Sequence, residues 1–435
     1  MSSGPTPAPV PDTETADAAA WRRREYVVVL GSPVGIPQII AGALLAAFLA
    51  QCLWLAVNSP MREMELAQIE RGQTLFHQHV FAAEAARSPI IPVLAAAPLI
   101  GSGIRIGEGL DNHGSETRAT QTRATQNRAT RFPGATPFFY PHPRSWRWRA
   151  RLPFIAIGVL LGASLWYVAR RLYGNAGGYI ALALYAFSPA IIMRAAAIQP
   201  AIVAAWGAFG MVFTAIAVSH TLYAPREVVL WNWKRIGLLG LAMALAVGSH
   251  LALAAVALLA LGFMLYLVPE RTGAAGAIVA VACAVALVLL LAAYGFDVPA
   301  MAAAVRGLRA ADFAPRLLGR KLTYNLLAVF FLRMPGVLAA LAVALIGYAV
   351  WKRPRFFGVT APLVSFGVLI VLGITMPHLG GYDLFVASLP FAFVFIAGVF
   401  ADLLETSYGS LVTGILTGIL AAHAAFSVAG LARIS

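Results

Sequence analysis

About eleven separate apolar stretches run through this chain, most of them near the length that crosses a bilayer and almost free of charge. A spanning helix needs roughly 20 mostly apolar residues. Hydrocarbon holds no water to pair exposed N–H and C=O groups, so such runs can close their hydrogen bonds only as helices. Composition agrees: 60% of the residues are hydrophobic and 11% charged, less than half of the roughly 25% charged residues usual in soluble domains. The expected class is an all-α polytopic integral membrane protein. Its spans are placed near Ile36–Val57, Arg151–Val168, Ala176–Met193, Pro200–Ser219, Ile236–Val247, Leu251–Val268, Ala274–Tyr294, Pro335–Val350, Gly358–Thr375, Leu384–Leu404 and Leu411–Leu431. Gly248-Ser249-His250 reads as a turn, or as a break in one longer helix.

A formal charge of +14 would suit a nucleic-acid binder, but most cations sit in short loops beside spans, where they act as topology signals. Nucleic acid is therefore not an expected partner. From a cytoplasmic N-terminus, Arg170-Arg171, Arg226, Lys234-Arg235, Arg271 and Lys352-Arg353-Arg355 all fall inside. This arrangement predicts a multi-pass protein of a bacterial inner or plasma membrane. Cys52 and Cys283 lie in apolar segments, and His77 and His79 lack a third ligand at useful spacing, so no metal site is expected.

Residues 1–25 lack apolar periodicity over most of their length and are expected to form a disordered cytoplasmic tail, with one transmembrane domain over 36–435. Its first extracytoplasmic loop is long, 58–149. Within that loop, 89–100 is apolar but too short to cross, and is expected as an interfacial helix. Residues 117–130 form a five-residue repeat without core-forming side chains, expected as a flexible insert. Trp146 and Trp148, interleaved with Arg, read as an interfacial belt or as a hold on a lipid phosphate.

The loop's closely spaced acids lie in MREMELAQIERGQTLFHQHVFAAEAARSPIIPVLAAAPL, residues 61–99. Gly72 is expected to end the acidic segment in a turn, and Ser88-Pro89 to open a new apolar helix. This layout resembles the first extracytoplasmic loop of the GT-C glycosyltransferases, and in particular the protein mannosyltransferase-like branch, whose loop reads approximately D-E-x-x-H-x-x-x-G and then H-P-P-L. The likeness continues, in family order, through ARRLYGNAGGYIALALYAFSPAII (169–192), FFLRMPG (330–336) and GGYDLFVASLPFAFVFIAG (380–398). The resemblance implies a GT-C-type bundle of about eleven transmembrane helices. It also implies transfer of a sugar from a polyprenyl-phosphate donor to an extracytoplasmic acceptor, with membrane lipids and a polyprenyl-phosphate carrier as partners and no separate cofactor.

Such chemistry wants a carboxylate to deprotonate or orient the acceptor, and Lys, Arg or His aimed at the departing phosphate. Aligned on Gly72, the family's reactive Asp falls on Met64 and its neighbouring His on Gln68. A second Asp falls on Gln199. A later Lys falls near Ser249, beside His250, and the late Arg and His fall on Asp383 and Leu384. Methionine accepts no proton, and glutamine is no base at neutral pH. The surviving candidates are Glu65 and Glu63 for the carboxylate, and Arg333, Arg194 and His250 for the lipid phosphate. Each also has a plainer reading: solvated loop acids, snorkelling arginines, a histidine capping a broken helix. Asp383 is expected at the membrane rim beside an arginine. Two functions remain open. One is a GT-C-type glycosyltransferase homologue with a degraded catalytic centre; the other is a non-catalytic scaffold or accessory subunit of a membrane protein complex. A secondary transporter would show inverted repeats, and none is convincing here.

Overall fold

The computed structural model describes residues 26–29, 32–78, 89–100, 146–223, 233–306, 334–350, 356–375 and 381–433. The expected tail (1–25), the repeat (117–130) and Arg333 lie outside these residues. A short antiparallel hairpin, β1 (Tyr26–Val29) against β2 (Ser32–Gly35), pairs Tyr26 with Gly35. The other regular elements described are helical.

Helix α1 (Ile36–Asn58) leads into α2 (Glu63–Gln78), and the short α3 (Ile90–Ala96) is extended by a 3-10 turn, Ala97–Leu99. Next comes α4 (Arg147–Ala186), 40 residues long. Drawn straight it would extend about 60 Å, twice the hydrocarbon thickness. It does not run straight, because Gly174 takes φ +77°, a left-handed conformation that glycine adopts without a Cβ penalty. The chain doubles back there, and Tyr185 on the second arm donates to the Gly158 carbonyl on the first at 2.5 Å. The expected span Arg151–Val168 is thus one arm of a broken helix, and the other arm holds the expected span Ala176–Met193 only as far as Ala186. Ser188-Pro189 closes the second arm and starts α5 (Pro189–Ala195), with proline in the first helical turn, where its missing N–H costs nothing.

Helix α6 (Pro200–Thr221) runs to the far end of the bundle and α7 (Trp233–Ser249) returns beside it. Their approach is close: a Cβ on Gly207 would lie 2.4 Å from the Ala246 nitrogen, the small-residue contact that membrane bundles use. His250 is extended and breaks α7 from a 3-10 turn, Leu251–Leu253, and α8 (Ala254–Leu267). There follow α9 (Thr272–Ala293), α10 (Val298–Arg306), α11 (Pro335–Val350), α12 (Phe356–Thr375), α13 (Gly381–Leu404) and α14 (Gly409–Ala432). Among the described residues, seven helices are long and apolar enough to cross a membrane, α4 counting once for its two arms, and three shorter apolar helices join them. Length and composition alone do not reproduce a count of eleven.

The bundle is organised around α13. Its apolar span is buried on all sides by α4, α6, α11 and α12, which is why its sequence shows no polar face. Phe385, Phe391, Phe393, Phe395 and Phe400 are all enclosed. This rigid axis ends at Tyr382 and Asp383, at the same end of the bundle as Arg194, Gln199 and His250.

Gly72 corrects the sequence reading. It forms no turn but lies inside α2, where a Cβ would sit 2.1 Å from the Pro92 carbonyl oxygen. Its role is to let α2 press against α3, whose Ile90, Ile91, Ala95 and Ala96 are buried.

Candidate functional site

Glu65 stands in the first turn of α2, with only 1% of its surface exposed. Its Oε2 accepts from Arg151 Nη2 at 2.8 Å and from the Arg62 backbone N–H at 2.9 Å. Its Oε1 accepts from Arg151 Nε at 3.2 Å and from the Ile198 backbone N–H at 2.9 Å. A carboxylate offers about four lone-pair sites, and here all four are taken. Arg151, equally buried, spends its remaining donors on the carbonyls of Ala56, Ser59 and Pro60 and on the Ser59 hydroxyl. It therefore satisfies carbonyl groups at and just beyond the C-terminus of α1, which lack intrahelical partners. The pair clasps the end of α1, the start of α2, the start of α4 and the segment before α6.

Above this clasp opens a cavity of about 370 Å³, lined by Arg62, Arg194, Gln199 and Tyr382 together with the clasp residues. Arg194, in the last turn of α5, has its guanidinium 4.2 Å from the centroid of the Tyr382 ring and donates to Gln199 Oε1. It also lies 3.6 Å from Asp383 Oδ1, while His250 Nε2 lies 3.1 Å from Asp383 Oδ2. Asp383 is thus shared between an arginine and a histidine at the cavity's edge. The lining arginines outnumber the lining acid, Glu65, so the cavity favours an anion, and the planar guanidinium of Arg194 has the fork geometry that matches a phosphate.

The fold brings together three of the positions singled out in the sequence, Glu65, Arg194 and Gln199, with His250 linked to them through Asp383. Glu63 is exposed on α2, and Met64 is 68% exposed, so the position aligned with the family's reactive Asp points away from the cavity. Arg333 lies outside the described residues. The expected arginine partner of Asp383 is Arg194. Arg151 escaped sequence reasoning, where it reads as the first residue of a span among interfacial arginines. The demand for a cation beside Glu65 appears only once the fold has buried that carboxylate.

The fold is that of a multi-pass helical membrane bundle with an arginine-lined cavity at one end. Among solved structures, the crystal structure of apo ArnT from Cupriavidus metallidurans is similar, with a TM-score of 0.51 and 14% identity over 91% of this chain and 62% of that one. The chain therefore spans less than two thirds of that neighbour's length. The archaeal oligosaccharyltransferase AglB from Archaeoglobus fulgidus, solved with an inhibitory peptide and a dolichol-phosphate, aligns with a TM-score of 0.47 and 13% identity, over 90% of this chain and 56% of that one. No protein-family model matches the sequence, and no curated protein matches it.

Proposed function

We propose that this protein is a GT-C-type glycosyltransferase homologue that holds the phosphate of a polyprenyl-phosphate sugar in the cavity at Arg194, on the extracytoplasmic side, and that its transfer centre is degraded. The observation that carries this reading is the state of Glu65. It is buried and saturated by four donors, so no lone pair is left to take a proton from an acceptor. The neighbouring Met64 faces outward. The anion-binding side of the chemistry survives in Arg194 and Arg62, while the base does not. The protein mannosyltransferase-like branch is proposed from the loop frame around Gly72 and Pro89.

Asp383 supports a second reading. It is a carboxylate at the cavity's edge with His250 at 3.1 Å, and a working transferase would use it in place of Glu65. The accessory-subunit reading rests, like the first, on the lost base. The test compares binding with turnover in the purified protein in nanodiscs, given a labelled polyprenyl-phosphate sugar. We expect retention of the label that falls about tenfold in Arg194→Gln, as a charge-assisted bond of about 1.5 kcal/mol is lost, without release of free carrier. Release of carrier that Asp383→Asn abolishes would establish the second reading, and no binding at all would leave the scaffold reading.

A further inference from the structure

The far half of the bundle contains a second cavity, of about 520 Å³, between α4, α6 and α7. This is within the size range of sites for small ligands. Its wall is apolar and aromatic: Trp206, Phe209 and Phe213 of α6 face Leu160 and Tyr167 of α4 and Leu238 of α7. Tyr167, Leu160 and Leu238 are 65%, 48% and 47% exposed, so the slot opens sideways, where a lipid chain would lie. Two polar side chains in the wall are engaged internally. Trp206 Nε1 donates to Ser164 Oγ at 3.3 Å, and that hydroxyl donates to the Leu160 carbonyl at 2.7 Å.

Arg235, at the start of α7, is the cation among the lining residues. It is exposed and makes no ion pair or hydrogen bond with a described residue, and Lys234 beside it is also exposed. An apolar slot ending in an exposed guanidinium complements a molecule with a hydrocarbon chain and an anionic head. Basic groups between helices near the membrane surface recruit acidic lipid headgroups in this way.

We propose that this slot binds one anionic phospholipid, with its phosphate on Arg235 and an acyl chain along Trp206, Phe209 and Phe213. The site lies at the opposite end of the bundle from the Glu65 cavity, so it does not depend on the function proposed above. The protein is exchanged into vesicles of phosphatidylcholine doped with phosphatidylglycerol, extracted gently, and its retained lipids are weighed by native mass spectrometry. One phosphatidylglycerol is expected to be retained in preference to phosphatidylcholine. Arg235→Gln, at an exposed position, lowers that preference about fivefold, the contribution of one surface cation. Ala217→Phe, which fills the slot without altering charge, removes the bound lipid. Equal retention of the two lipids, or a preference undiminished in Arg235→Gln, would overturn the proposal. So would a preference that Ala217→Phe leaves intact in a folded protein, since the attraction would then belong to the basic surface alone.

Discussion

Glu65→Gln separates a structural carboxylate from a reactive one. The substitution keeps the side chain's shape but removes its charge, leaving the Arg151 guanidinium buried at 1% exposure without a counterion. Arg151 would still reach the carbonyls of Ala56, Ser59 and Pro60, yet one amide oxygen cannot replace two carboxylate oxygens holding Nε and Nη2. Breaking a buried ion pair from one side costs about 3–5 kcal/mol. Removing both partners with residues of similar volume is far milder, since no charge is stranded. Thermal unfolding in detergent, followed in a Cys283→Ser background by the exposure of Cys52 to a thiol reagent, reads the effect, because the Cys52 thiol is fully enclosed in the native bundle whereas Cys283 is exposed. We expect Glu65→Gln to unfold well below the wild type, Glu65→Gln with Arg151→Met to recover much of the loss, and Glu63→Gln, at an exposed position, to change little. A Glu65→Gln protein as stable as the wild type, with sugar transfer abolished, would refute the structural assignment and make Glu65 the base.

Gly72→Ala drives a methyl group into the Pro92 carbonyl, and overpacking of this kind costs about 1–3 kcal/mol. A loss of thermal stability no greater than that of Gly42→Ala, where a Cβ meets nothing within 4 Å, would show that α2 and α3 move apart freely. Asp383→Asn removes the anion that shares Arg194, so binding of a polyprenyl phosphate should tighten by up to about fivefold, the worth of one partly exposed ion pair; weaker binding would mean that Asp383 positions the arginine. Met64→Asp restores the aligned acid on a side chain that is 68% exposed, and it should yield no sugar transfer. A gain of transfer would show that α2 can turn that face toward the cavity.

Much of the architecture is legible because a bilayer allows so few structures: apolar runs had to be helices, and the break at His250 and the ion partner of Asp383 follow from local polarity in an apolar setting. The parts that escaped are those settled by partners distant in sequence. Arg151 and Glu65 are 86 residues apart, and neither alone announces a clasp. Gly72 is ambiguous for a related reason. A glycine after a polar helical turn fits a C-cap as well as a close helix contact, and the deciding neighbour, Pro92, lies on another element. The two-armed α4 depends on one glycine dihedral, which no hydropathy window reports.

The same clasp also bears on the proposal that Glu65 does no transfer chemistry. A general base must exchange a lone pair with its substrate, which requires an oxygen that is reachable and incompletely bonded. A carboxylate that locks four chain segments must have every lone pair occupied and be closed to water. Glu65 meets the second set of conditions, and these exclude the first. Once the outward-facing position at 64 carries no acid, rigidity at 65 brings no catalytic conflict. Among the described residues, the groups left to meet a ligand at this end are Arg62, Arg194 and the Asp383–His250 pair, and the sign and strength of the proposed anion site turn on how firmly Asp383 holds Arg194.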